Sequence, residues 1–254
     1  NVPMPFNGKS GKFNASINTV EFGCGDKAVK IGGENVFPLY SFDAAIENAP
    51  KVGIEITDFG MEHEPECIKK YYEGCATLAD MARKAASMEG VDFLSFRMEG
   101  GDPNGANKST EELIGELKEI ADVVDLPLVV CGCKNVEKDA ELFSKAAEAL
   151  NGKNAVILSA KEENYKTVGA AAGLAYKQVV GAESAVDINL AKQLNVLISQ
   201  LGVDSKSVVM NVGTAAVGYG FEYVISTMDR VKAAALAQGD ATLQMPIITP
   251  VASE

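Results

Sequence analysis

Residues 187–223 read DINLAKQLNVLISQLGVDSKSVVMNVGTAAVGYGFEY, and the change of hydrophobic period inside this stretch decides the fold class. Leu190, Ala191, Leu194, Leu197, Ile198 and Leu201 recur at three- and four-residue steps, which aligns them on one face of a helix. Gly202 stops that helix. The run 207–211, SVVMN, is β-branched and too short for a buried helix, so it reads as a buried strand. It feeds a loop holding Gly213, Gly218 and Gly220, after which Phe221, Val224, Ile225, Met228 and Val231 begin a second helical stripe. The unit is helix, strand, glycine-rich loop, helix. Ligands of α/β proteins bind just past the ends of parallel strands, so the site is expected on that side of the sheet.

Outward from this unit the alternation repeats. Strands are expected at 52–58, 91–96, 127–133, 155–159, 178–180 (the weakest), 207–211 and 245–251. Helices are expected at 68–88, at 111–124, from Val136 to Leu150 and at 164–176. Short apolar strands separated by helices predict a parallel sheet. The expected fold is α/β, a TIM (β/α)8-type barrel over 51–254 with an irregular N-terminal extension over 1–50. In that extension the runs 18–22 and 28–31 predict a hairpin capping one barrel end. No eighth strand is evident; either the hairpin contributes to closure or the chain continues past Glu254. A doubly wound sheet is the competing architecture, but it would favour a G-x-G-x-x-G turn after the first strand, and none is present.

Composition narrows the function. Thirty-five acidic against twenty-three basic residues give a net charge of −12 with no basic run, which argues against a nucleic-acid partner. No apolar stretch reaches the roughly 18 residues of a membrane span, and the opening NVPMPFNGKSGKF lacks the apolar core of a signal peptide, so a cytoplasmic protein without a membrane partner is expected. Five cysteines are an odd number in a chain of 254 residues, and reduced thiols are the default. With one histidine, His63, in the acidic turn MEHEPE, a histidine-based triad is excluded in practice.

The strand-end loops hold the remaining candidates. Loop 100–108, GGDPNGANK, offers Asp102, Asn104 and Asn107, suited to amide groups or ribose, although a plain turn explains it equally. Cys131 and Cys133 flank one glycine; metal sites usually space cysteines by two residues, so the pair is read as small core hydrophobes sharing one strand face. Glu55 or Asp58 with Asp102 or Asp187 would make a carboxylate pair, but Asp187 opens a helix, where capping alone accounts for it. No nucleophile–base pair emerges.

Several segments, in one order, carry a resemblance: VGIEITD at 52–58, GGDPNGAN, PLVVCGC followed by KNVEKD, ENYK at 163–166, DINLAKQLN, GYGFEY and MPIITPV. Together they resemble the small subunits of corrinoid iron–sulfur proteins, the delta subunits of acetyl-CoA decarbonylase/synthase. The resemblance implies a TIM barrel paired as a heterodimer with a large corrinoid iron–sulfur subunit. It implies a role in the Wood–Ljungdahl route of anaerobic carbon fixation: passing a methyl group from a methyltransferase, which draws it from methyl-tetrahydrofolate or methyl-tetrahydropterin, to the nickel site of the acetyl-CoA synthase/CO dehydrogenase complex. The corrinoid (cobalamin) would be shared with the large subunit, no metal would be bound by this chain alone, and the chain would not be a catalyst by itself. Candidate corrinoid contacts are then Asp102, Asn104, Asn107, Asn164, Asn211, Gly213, Thr214, Gly218 and Tyr219. The alternatives are a pterin-binding methyltransferase using Asp102, Asn104 and Asn211, and a purely architectural subunit.

Overall fold

The computed structural model describes residues 11–37 and 44–254; parts of the expected extension, 1–10 (with Gly8) and 38–43, lie outside the described residues. The chain begins with strands β1 (Val20–Phe22) and β2 (Val29–Ile31), paired antiparallel as a hairpin. There follow β3 (Gly53–Thr57), α1 (Glu66–Tyr71), α2 (Leu78–Ala86), β4 (Phe93–Arg97) and α3 (Thr110–Val123). Next come β5 (Leu128–Cys131), α4 (Val136–Ala149), β6 (Val156–Ala160), α5 (Tyr165–Val168) and β7 (Val179–Glu183). The chain closes with α6 (Ile188–Gln200), β8 (Val208–Asn211) and α7 (Phe221–Leu236).

Strands β3 to β8 form one six-stranded parallel sheet in sequential order, each strand beside the next. A doubly wound sheet reverses its strand order at a switch point, and this order never reverses. The sheet is therefore an α/β arrangement compatible with a barrel-like fold. Alternation sorts its side chains. Leu128, Val130, Ile157, Val180, Val208 and Met210 pack against the helices, while Val129, Cys131, Val156, Leu158, Val179 and Val209 form a second core on the opposite face. The hairpin's Val20 and Phe22 belong to that second core and are fully buried. Asn154, just before β6, accepts from the Gly23 N–H through its carbonyl (2.8 Å) and donates to the Glu21 carbonyl (3.0 Å), so the hairpin sits at the N-terminal ends of the strands.

Four expected elements differ from what is observed. The helix expected at 68–88 is two helices, because Gly74 takes a left-handed φ of 88° and Thr77 starts α2 with a capping box, its hydroxyl bonded to the Asp80 N–H and the Asp80 carboxylate to the Thr77 N–H. The helix expected at 164–176 is α5 followed by a π-helical turn at Gly169–Ala175, where the small residues bring backbone close to the turn after α6; a Cβ on Gly173 would lie 2.7 Å from Val203. The strand expected to be weakest is β7, paired on both sides and longer than its apolar run suggested. The strand expected at 245–251 shrinks to one parallel bridge, Met210 to Ile247, and Val251–Ser253 is a 3-10 turn. Pro246 and Pro250 carry no N–H for a ladder, which limits the pairing to that bridge.

Candidate functional site

The site is built by strand register. Pairing sets Glu55 opposite Ser95, Arg97 opposite Cys131 and Glu183 opposite Asn211. Cys131 belongs to the core on the face away from the helices, so the side chains in its layer meet above that core. Arg97 donates from Nε to Glu55 Oε1 at 2.8 Å and from a terminal nitrogen to Oε2 at 3.2 Å, a two-pronged pair with both side chains only about 10% exposed (10% and 9%). A buried arginine placed this way holds β3 and β4 in register and floors the space above.

Over this floor lies a cavity of about 300 Å³ at the C-terminal ends of the strands. Arg97, Lys134 and Lys161 bring positive charge to its wall, Asp139 and Glu183 negative charge, and Ser159, Asn211 and Thr214 neutral hydrogen-bonding groups. A register shift between Ile157 and Ala160 turns both Leu158 and Ser159 toward the cavity. Asn211 donates to the Ser159 hydroxyl at 3.1 Å, and its carbonyl oxygen accepts from the Gly213 N–H at 3.0 Å. Asp139, in the first turn of α4, reaches back to accept from the N–H groups of Cys133 (2.7 Å) and Lys134 (3.1 Å), which fixes the loop after β5. A Cβ on Gly132 would sit 2.1 Å from that carboxylate, so only glycine fits there. Lys161 stands 3.8 Å from Glu183. Burial raises the carboxyls of Asp139 and Glu183 above their ordinary range, against the pull of Lys161.

The two cysteines of this loop do not share a face. Cys131, the last residue of β5, joins the core away from the helices, whereas Cys133 lies beyond the strand and joins the helix-side core. The strand ends before Gly132, so alternation does not extend to Cys133. Burial pushes the thiols to about 11 and about 12 respectively, so both stay protonated and unreactive at neutral pH.

The expected site residues separate into groups. Asn211, Gly213 and Thr214 line the cavity. Gly213 and Gly218 have left-handed φ values of 92° and 85°, so backbone conformation alone accounts for glycine there. Tyr219 is 87% exposed, on the loop beside the cavity. Asn164 is buried and spends its amide on the backbone of Lys161 and Val136. Asp102 accepts from the Asn104 N–H in a tight turn, Asn104 and Asn107 are exposed, and none of the three lines the cavity. The four acids expected to furnish a carboxylate pair are engaged apart. Glu55 is held by Arg97, Asp58 by Lys108, Asp187 caps α6 by accepting from Asn189 and Leu190, and Asp102 holds its own turn. His63 is exposed, its ring edge-on to Phe59.

Arg97, Asp139, Lys161 and Glu183 were not legible as site residues. A signal for Arg97 exists: a charge at the third place of GIEIT and another at the fifth place of FLSFR, both apolar strands, predicts a buried pair once the strands adjoin. Asp139, Lys161 and Glu183 have no comparable signal, because each looks like an ordinary surface charge at an element end.

Among the described residues no helix is long and apolar enough to cross a membrane. Residues 19–253 match the family model described as CO dehydrogenase/acetyl-CoA synthase delta subunit. The chain is 32% identical over 245 residues to the acetyl-CoA decarbonylase/synthase complex subunit delta of Methanothermobacter thermautotrophicus, covering 95% of this chain and 62% of that protein. It is 34% identical over 227 residues to the subunit delta of Methanopyrus kandleri, covering 89% and 56%, and 31% identical over 244 residues to that of Methanocaldococcus jannaschii, covering 93% and 59%. The chain thus spans about three fifths of the length of these curated relatives. With nearly its whole length matched and the six-stranded parallel sheet inside the match, the chain belongs to the CO dehydrogenase/acetyl-CoA synthase delta subunit family.

Proposed function

We propose that this chain is the small subunit of a two-subunit corrinoid methyl carrier, its sheet closed as a TIM barrel whose strand-end face covers one side of a corrinoid held by a larger iron–sulfur subunit. The carrier would take a methyl group from a methyltransferase acting on methyl-tetrahydrofolate or methyl-tetrahydropterin and pass it to the nickel site of the acetyl-CoA synthase/decarbonylase. The observation that carries this reading is a polar strand-end cavity, on a chain of this family, where Arg97 is held by Glu55, Lys161 faces Glu183 and Asp139 is spent on backbone N–H groups, with no nucleophile–base pair among them.

The residues fit a corrinoid as a surface it lies against. A cavity of about 300 Å³ is at the low end even for drug-sized ligands and cannot enclose a macrocycle. The carboxamide arms of a corrinoid need donors and acceptors at its rim. Asn211 has its orientation fixed by Ser159 and Gly213, and the Thr214 hydroxyl makes no hydrogen bond among the described residues. Tyr219, exposed beside them, presents an apolar ring with a polar tip. When bound, the corrinoid supplies the cobalt that accepts and gives up the methyl group. This chain's residues orient the ring's edge and keep water from the covered side.

The test is reconstitution with the larger corrinoid subunit. Thr214→Val and Tyr219→Ala are expected to leave folding unchanged while slowing methyl transfer and altering the cobalamin absorbance of the complex. Unchanged transfer and absorbance in both would point to an architectural subunit. Tight binding of methyl-tetrahydrofolate to the isolated chain would instead favour a pterin-binding methyltransferase, although Asp102 and Asn104 stand apart from the cavity that Asn211 lines.

A further inference from the structure

Outside the cavity, the loop between β4 and α3 is fastened to the end of β3 by one buried acid. Asp58, with its side chain fully buried, accepts from the Gly100 N–H at 2.9 Å through Oδ1, and Lys108 stands 2.9 Å from Oδ2. The Lys108 ammonium also donates to the Asp58 carbonyl oxygen, 3.3 Å away. Both ends of the 100–108 loop are thus tied to Asp58, and the Lys108 N–H closes the loop on the Gly100 carbonyl at 2.8 Å. A Cβ on Gly100 would fall 2.2 Å from Oδ2, so the fit of acid to loop is tight.

The same ammonium also faces a second acid. Glu116, on α3, places Oε1 3.6 Å from Lys108, and its Oε2 is buried without a partner. One cation is shared by two carboxylates in a water-poor pocket roofed by the Phe59 ring, 5.2 Å from the ammonium. With both acids ionised the cluster carries one uncompensated negative charge beside Glu116 Oε2, which no donor reaches. A proton on Glu116 removes that charge and leaves Lys108 wholly to Asp58.

We propose that Asp58, Lys108 and Glu116 form a proton-linked latch on the 100–108 loop, closed when Glu116 is protonated and loosened when it ionises and draws Lys108 from Asp58. The charged groups facing Glu116 are Lys108, Asp58 and Glu112, the last one turn earlier on its own helix. Burial first, then the charges of Asp58 and Glu112, push the Glu116 carboxyl up to about 7 against the opposing pull of Lys108, which places the switch near neutral pH. Burial would lower the Lys108 ammonium, but Asp58, Glu116 and Glu112 outweigh it, so the lysine stays charged throughout.

Amide hydrogen exchange on this chain, corrected for the intrinsic pH dependence of exchange, tests the latch without any partner or corrinoid. Protection of the Gly105, Asn107 and Lys108 amides is expected to fall on the order of tenfold between pH 6 and 8, the factor for one pKa unit of coupling. In Glu116→Gln, which mimics the protonated acid, protection should stay high across that range. An equal fall in Glu116→Gln, or no fall in the wild type, would overturn the latch. Direct NMR titration of the Glu116 carboxyl in the wild type stands independently of how that variant folds: a midpoint near 7 supports the latch, and one in the ordinary carboxylate range sinks it.

Discussion

The two ends of the parallel sheet are built on opposite principles. At the N-terminal end, Val20 and Phe22 of the hairpin complete an apolar core with Val129, Val156, Val179 and Val209, and Asn154 hydrogen-bonds the hairpin backbone. At the C-terminal end the same face carries Arg97, Glu183 and Asn211, with Lys161 from a loop and Asp139 from the first turn of α4 around a cavity. The first end gains from burial, which is non-directional and tolerant of chemistry provided volume is kept. The second holds desolvated charges that contribute only while each keeps its partner. One end is therefore suited to holding the fold and the other to meeting a ligand.

That contrast can be broken first at the hairpin. Phe22→Ala removes a fully buried ring from the second core and is expected to cost about 3–5 kcal/mol, read as a shift in the denaturant midpoint. A loss below about 1 kcal/mol would mean that the hairpin is not integral to the sheet. Next, Glu55→Gln leaves Arg97 buried with half its pairing gone. The expected cost is about 3 kcal/mol, toward the lower end for breaking a buried pair because the glutamine oxygen still accepts one bond. If the variant were as stable as the wild type, the strand-end floor would not depend on charge.

Smaller effects sharpen the comparison. Asn211→Ala leaves the Gly213 N–H without its acceptor and should cost about 1–2 kcal/mol while lowering corrinoid occupancy in the reconstituted complex; a stability loss with unchanged occupancy would make Asn211 purely structural. Glu116 adds a pH dependence of known sign. Its carboxyl is raised in the folded chain, so its contribution is fully present at pH values below its unfolded range, near 4.5, and is lost as pH rises to about 7. Denaturation of Glu116→Gln should lack that decline, and parallel stability–pH curves for the two proteins would remove Glu116 as its source. Tyr219→Ala, at an exposed position, should change stability by less than about 0.5 kcal/mol, so any large change would mean the loop is packed rather than presented.

The strand-end location of the site was legible, because glycine and asparagine follow an apolar run at 207–211, and Asn211, Gly213 and Thr214 do line the cavity. Loop 100–108 stands apart from that cavity. Its Asp102, Asn104 and Asn107 look like ligand groups by composition, yet the residue that binds that loop into the fold is Lys108, through Asp58, fifty positions away. Composition identifies what a loop could bond, whereas only packing decides which bonds are already taken.

By itself the sequence determined the alternation of strands and helices, the hairpin, the capping role of Asp187 and the family, because these rest on short-range periodicity, local backbone preference and ordered motifs. Tertiary structure decided which charges are buried and with whom. The Glu55–Arg97 pair, the reach of Asp139 back over Gly132, the separation of Cys131 from Cys133 and the sharing of Lys108 between two acids all depend on strand register and on loops meeting across the sheet. Such contacts join residues tens of positions apart. The electrostatic weight of each charge is set by the water it loses there, and no local pattern of residues encodes that loss.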